Sequence, residues 1–94
     1  MTTITYGLTM NSRRLLARIL RGEVANIAFG DLVQLLIDLG FTETGGRGSH
    51  HVYIQMGVRE LVNLQHENGD AKPYQVRQIA SIIRRYNLRL EESS

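Results

Sequence analysis

Ninety-four residues, 43% of them hydrophobic and 21% charged, with a single proline, make one small globular domain and leave no length for a second core. Ten arginines and one lysine stand against nine carboxylates, a net charge of +2, and the basic residues gather at Arg13 to Arg21 and at Arg77 to Arg89, which fits nucleic acid, an acidic protein or simply solvated helix faces. With no cysteine, disulfide scaffolds, thiolate zinc sites and thiol nucleophiles are excluded, and no apolar run approaches the roughly 20 residues of a membrane span.

Residues 1–10 carry no clear period and lack the basic and apolar regions of a secretory signal. They read as a mobile arm on a cytoplasmic protein without membrane contacts. Asn11 or Ser12 can cap a short helix over 11–22, in which Leu15, Leu16, Ile19 and Leu20 take one side and Gly22 ends it. After a connector, Phe29, Leu32, Val33, Leu36 and Ile37 recur with the period of a helix over 29–39, closed by Gly40. The period then falls to two. Strands are expected at 41–44, 50–56 and 60–65, separated by the GGRG turn (45–48) and a turn at Gly57. Pro73 opens a closing helix whose apolar stripe is Val76, Ile79, Ala80 and Ile83. The fold class is therefore α+β, with the domain proper at 23–90. Its α-β-β-β-α order lets two helices cover one face of an antiparallel sheet and leaves the other open.

Strand register follows from which residues share the core. Val52, Ile54 and Met56 share one face of the second strand, and Val62 and Leu64 one face of the third. They meet only if opposed residue numbers have an even sum. A three-residue loop at 57–59 satisfies this. It sets Val52 opposite Leu64, Ile54 opposite Val62 and His50 opposite His66, and it turns His51, Tyr53 and Gln55 to the open face. A two-residue loop gives an odd sum and is disfavoured.

The densest chemistry lies in Gly45-Gly46-Arg47-Gly48-Ser49-His50-His51. Glycines let backbone N–H groups approach an anion, arginine adds a cation, and histidine exchanges protons near neutral pH. These are ingredients for handling a phosphodiester, although a plain structural turn uses the same residues. No GK[ST] follows and no HExxH or similar ligand spacing is present, so neither a metal nor another cofactor is called for. Lys72 and Tyr74 stand at the start of the closing helix, where N–H groups can meet phosphate.

The segments Leu39-Gly40-Phe41, Arg47 to Tyr53, Asn63-Leu64-Gln65 and Ala71 to Gln78, in that order, resemble the HicA-type toxins of toxin–antitoxin systems. The resemblance spans roughly residues 26 to 88. It implies a fold like the double-stranded-RNA-binding domain and an endoribonuclease, an mRNA interferase, neutralised by a HicB-type antitoxin. It also implies a catalytic histidine at His50, the first of the GSHH segment. Residues 1–22, including the extra helix, lie outside the family's minimal pattern.

Together these readings give a metal-independent cut of mRNA by His50, with Arg47, Ser49 and His66 as assisting residues. Arg47, Gly48, His51, Lys72, Tyr74, Arg77, Arg84 and Arg85 are the expected RNA contacts. The alternatives are a non-catalytic RNA-binding module on the same fold and a protein-interaction domain meeting an acidic partner.

Overall fold

The computed structural model describes residues 2–48, 50–65 and 68–90, with side chains from Asn11 onward. Three helices and three strands follow in the order α1 (Thr2–Leu20), α2 (Phe29–Asp38), β1 (Thr42–Gly45), β2 (His50–Gln55), β3 (Val58–Gln65) and α3 (Pro73–Tyr86). The strands form one antiparallel sheet in the order β1-β2-β3. This is the α-β-β-β-α layout of a double-stranded-RNA-binding domain with one helix added in front. Among the described residues no helix is long and apolar enough to cross a membrane.

All three helices stop by the same device. A left-handed residue stands just past each end: Gly22, Gly40 and Asn87, at φ values of +95°, +107° and +52°. Each donates its N–H back into the last turn, and the following residue does the same to the carbonyl one residue earlier: Glu23 to Arg18, Phe41 to Leu36 and Leu88 to Ile83, at 2.9 to 3.0 Å. The paired bonds satisfy carbonyls that a helix end otherwise leaves open. Phe41, delivered by this turn, enters the core with Leu36.

The backbone of residues 2–10, expected as an arm, is the first half of α1, so this helix begins well before Asn11. Its described half is fastened at three levels. Leu15 and Ile19 join the core. Ser12, also buried, donates its hydroxyl to Asp38, whose other oxygen accepts from Gln34 Nε2 at 2.9 Å. Arg84 of α3 donates to the Leu20 carbonyl at 2.9 Å, capping the end of α1.

The strand register differs from the even-sum expectation. His50 pairs with Gln65, His51 with Leu64, Val52 with Asn63 and Tyr53 with Val62, an odd sum, and the β2–β3 connection is the two-residue turn Met56-Gly57. The faces of β2 are accordingly exchanged. Tyr53, only 2% exposed, packs with Val62 and Leu64, while Ile54 and Met56 are 40% and 98% exposed. The expectation weighed the aliphatic residues and left the tyrosine outside. A buried tyrosine removes about 150–250 Å² from water, more than any one aliphatic residue of this strand. Gln55 pairs with Val58 beyond a register shift.

Truncating Tyr53 should therefore cost far more than truncating its neighbour. Tyr53→Ala is expected to destabilise the fold by about 3–5 kcal/mol and Ile54→Ala by less than about 1 kcal/mol, measured by urea unfolding. Burial, with the charge of Glu43 adding to it, raises the pKa of the Tyr53 phenol. A raised folded-state value means that stability is intact below the ordinary phenol pKa and falls as pH climbs through the raised one. Tyr53→Phe should remove that alkaline loss in thermal unfolding followed between about pH 9 and 11.

Candidate active site

One end of the molecule gathers segments far apart in the sequence. The strand ends at His50 and Gln65 pair there. Two contacts bring in the start of α3: Lys72 Nζ donates to Gln65 Oε1 at 3.3 Å, and the Gln65 N–H reaches Gln75 Oε1 at 3.5 Å. The start of α2 is tied to the same place, since the Phe29 N–H donates to the Gly69 carbonyl and the Ala71 N–H to that of Ile27. Neither helix has a side-chain cap: Ala28 and Lys72 occupy the cap positions without a capping hydrogen bond. Pro73 has no N–H, and the Gln75 and Val76 N–H groups turn back to the Lys72 carbonyl. The Tyr74 N–H is thus the remaining donor of this first turn, at the positive end of the helix dipole.

The turn before β2 is tightly built. The His50 N–H donates to the Arg47 carbonyl at 2.9 Å, and at Gly46, with φ +138°, a side chain would run into the His50 carbonyl oxygen. Arg47 and Gly48 lie exposed on this turn beside exposed His50. Ser49 and His66 lie outside the described residues. Gln65, not His66, is the residue opposite His50.

His51 does not point to the open face. The odd register turns it toward the helices, where its Nδ1 lies 2.8 Å from Glu43 Oε2 and its ring 5.9 Å from that of Phe29. A carboxylate only accepts, so Nδ1 carries the proton and Nε2 is left to act outward. Sequence reasoning passed over Glu43. Glu43 faces Tyr53 across β1 and β2, on the side that Tyr53 buries, and so sits diagonal to His51.

The remaining expected RNA contacts divide. Lys72 and exposed Tyr74 stand at the histidine end. Arg77 and Arg84 border a cavity with Ile19 and Val24, against α1. Arg84 is engaged with Leu20 and Arg85 with Glu60. Glu60 also accepts from the Tyr86 hydroxyl at 2.7 Å, and this bond, with the Arg85 charge adding to it, holds its carboxyl below the ordinary value. Arg84 and Arg85 thus each have a partner within the fold. Among the described residues no three His, Asp or Glu side chains cluster as metal ligands would.

The end that results offers a histidine, two cations and a helix-terminal N–H around one open rim, a set suited to a phosphodiester. No curated protein and no solved structure matches the chain. A protein-family model described as the HicA toxin of bacterial toxin–antitoxin systems matches residues 29–86, a span that runs from the start of α2 to the end of α3. The histidine end lies inside that span and α1 outside it, and the chain belongs to the HicA family of toxins, whose partner is an antitoxin.

Proposed function

We propose that this toxin is a cytoplasmic endoribonuclease that cuts messenger RNA with His50 and is held inactive by a HicB-type antitoxin. The observation that carries the reading is the convergence of His50, Gln65, Lys72 and the start of α3 at one exposed rim. RNA would enter with a phosphate against the Tyr74 N–H, Lys72 and Arg47. His50 takes the proton of the attacking oxygen, either the ribose 2′-hydroxyl or a water. As that oxygen bonds to phosphorus, the bond to the leaving 5′-oxygen breaks, and a proton from solvent neutralises it. Arg47 and Lys72 stabilise the charge that gathers on the phosphoryl oxygens between these events.

A second reading concerns which of the adjacent histidines does the work. The 2.8 Å contact with Glu43 gives His51 the oriented ring that catalytic histidines have elsewhere. Under that reading Nε2 of His51 exchanges the proton and His50 binds the substrate.

Alanine at each histidine separates the two. His50→Ala should reduce cleavage of a model mRNA by about 10²- to 10⁴-fold and abolish growth arrest, while the fold and RNA affinity persist. His51→Ala should cost less than about tenfold. The opposite ranking would transfer catalysis to the Glu43–His51 pair, and full activity in both variants would remove histidine from the chemistry. A wild-type protein that binds RNA without cutting it would support the non-catalytic binding module.

Phosphate contacts are read from salt dependence. Arg47→Ala and Lys72→Ala should each lower the slope of log affinity against log salt by about 1. Arg84→Ala and Arg85→Ala should leave that slope alone and lower the unfolding midpoint instead. Fluorescence anisotropy with a labelled RNA across a salt series, beside thermal melts, distinguishes these outcomes.

A further inference from the structure

The exchanged register leaves an apolar area on the side of the sheet that no helix covers. Ile54 and Leu61 are 40% and 60% exposed there, and Met56, in the turn that joins β2 to β3, is 98% exposed. Ile54 pairs with Thr42 on one side, and Val52, half-buried, pairs with Asn63 in the next row. Strand alternation also brings Arg59 to this face, beside Leu61. Arg59 is the one formally charged residue that the described strands direct to it. The carboxylates of Glu43 and Glu60 turn to the helix side, toward His51 and toward Tyr86 and Arg85. Large aliphatic side chains on an exposed sheet face, gathered and not scattered, mark a surface that meets another molecule.

We propose that this face is where the antitoxin docks, and that it meets the toxin with an apolar centre bordered by acidic side chains. Membership of a toxin–antitoxin family supplies the partner, and the charge pattern selects the occupant. A polyanion such as RNA gains little from three aliphatic side chains and one cation. A second copy of this chain, pairing patch to identical patch about a two-fold axis, would bring two Arg59 guanidinium groups into one interface without a carboxylate between them. A partner with acidic groups around an apolar centre satisfies both the aliphatic side chains and Arg59.

The patch also explains how docking reaches the chemistry, a step that rests on the assignment of His50 above. Ile54 and His50 share one face of β2 and lie four residues apart, about 13 Å at the rise of a strand. A body seated on Ile54 and Leu61 needs only that reach to close the rim at His50. Affinity then comes from the patch and inhibition from the overhang.

The test uses the full chain and its purified cognate antitoxin, with binding by calorimetry and cleavage of a model mRNA measured side by side. Leu61→Asp and Ile54→Asp introduce charge. Leu61→Thr and Ile54→Thr keep strand propensity in case the charged forms fail to fold, and thermal melts identify the folded variants. Folded variants should lose at least about tenfold in antitoxin affinity and resist neutralisation, while the free proteins cleave RNA within twofold of wild type. Unchanged antitoxin affinity in the folded threonine variants would overturn the proposal. So would a wild-type dimer that these substitutions dissociate without weakening antitoxin binding. A wild type without ribonuclease activity would sink the catalytic reading alone, and the calorimetry would still decide the docking surface.

Discussion

The ring of Tyr53, held between β3 and the helices, decides which way every other side chain of β2 points. A strand has two faces and no intermediate setting, so burying this ring with Val62 and Leu64 exchanges the positions of His50 and His51. His50 goes to the open side beside Gln65, and His51 goes under the sheet edge to Glu43 and Phe29. Two adjacent residues of one type thereby receive unlike surroundings. One is an exposed ring at a rim with basic neighbours, and the other is a ring oriented by a carboxylate.

The rim itself is a product of how the helices begin and end. Each helix ends in a left-handed residue that turns the chain sharply, and α2 and α3 both begin at the histidine end, joined through the Phe29–Gly69 and Ala71–Ile27 hydrogen bonds. Their uncapped first turns add partial positive charge where formal charges are few. Several arginines are engaged elsewhere. Arg18 and Arg21 hold Glu23, whose carboxyl is pulled below its ordinary value by those two hydrogen bonds, while Arg84 caps α1 and Arg85 meets Glu60. A modest net charge, counted over the whole chain, therefore says little about the histidine end, where Arg47, Lys72 and the helix starts supply the positive field.

Much of this was legible in the residues. The 3.6 period from Phe29 with Gly40 after it marks α2, the change to a period of two marks the sheet, and Pro73 marks the start of α3, because each rests on local geometry. The quoted segments also led to the right family, since their spacing brings strand ends and a helix start together. Register was the failure. It depends on a competition between two apolar sets on one strand, and Tyr53, assigned to the open face, was the larger contributor to burial. The same error hid Glu43 as the partner of His51 and placed His66 opposite His50. The length of α1 was also missed, because Ile4, Tyr6, Leu8 and Met10 do not follow a helical period. Sequence gives the charges of α3 without showing that Arg84 reaches the Leu20 carbonyl and Arg85 the Glu60 carboxylate.

Which face of β2 is buried decides where both histidines point, and nuclear Overhauser contacts in the isotope-labelled protein read this directly. Tyr53 ring protons should show strong contacts to the Val62 and Leu64 methyl groups, with the Ile54 methyls giving none to α3 and the His50 ring giving contacts to Gln65. Contacts from Val52 and Ile54 methyls to Leu64 and Val62, with the Tyr53 ring open to solvent, would contradict it and return His51 to the open face.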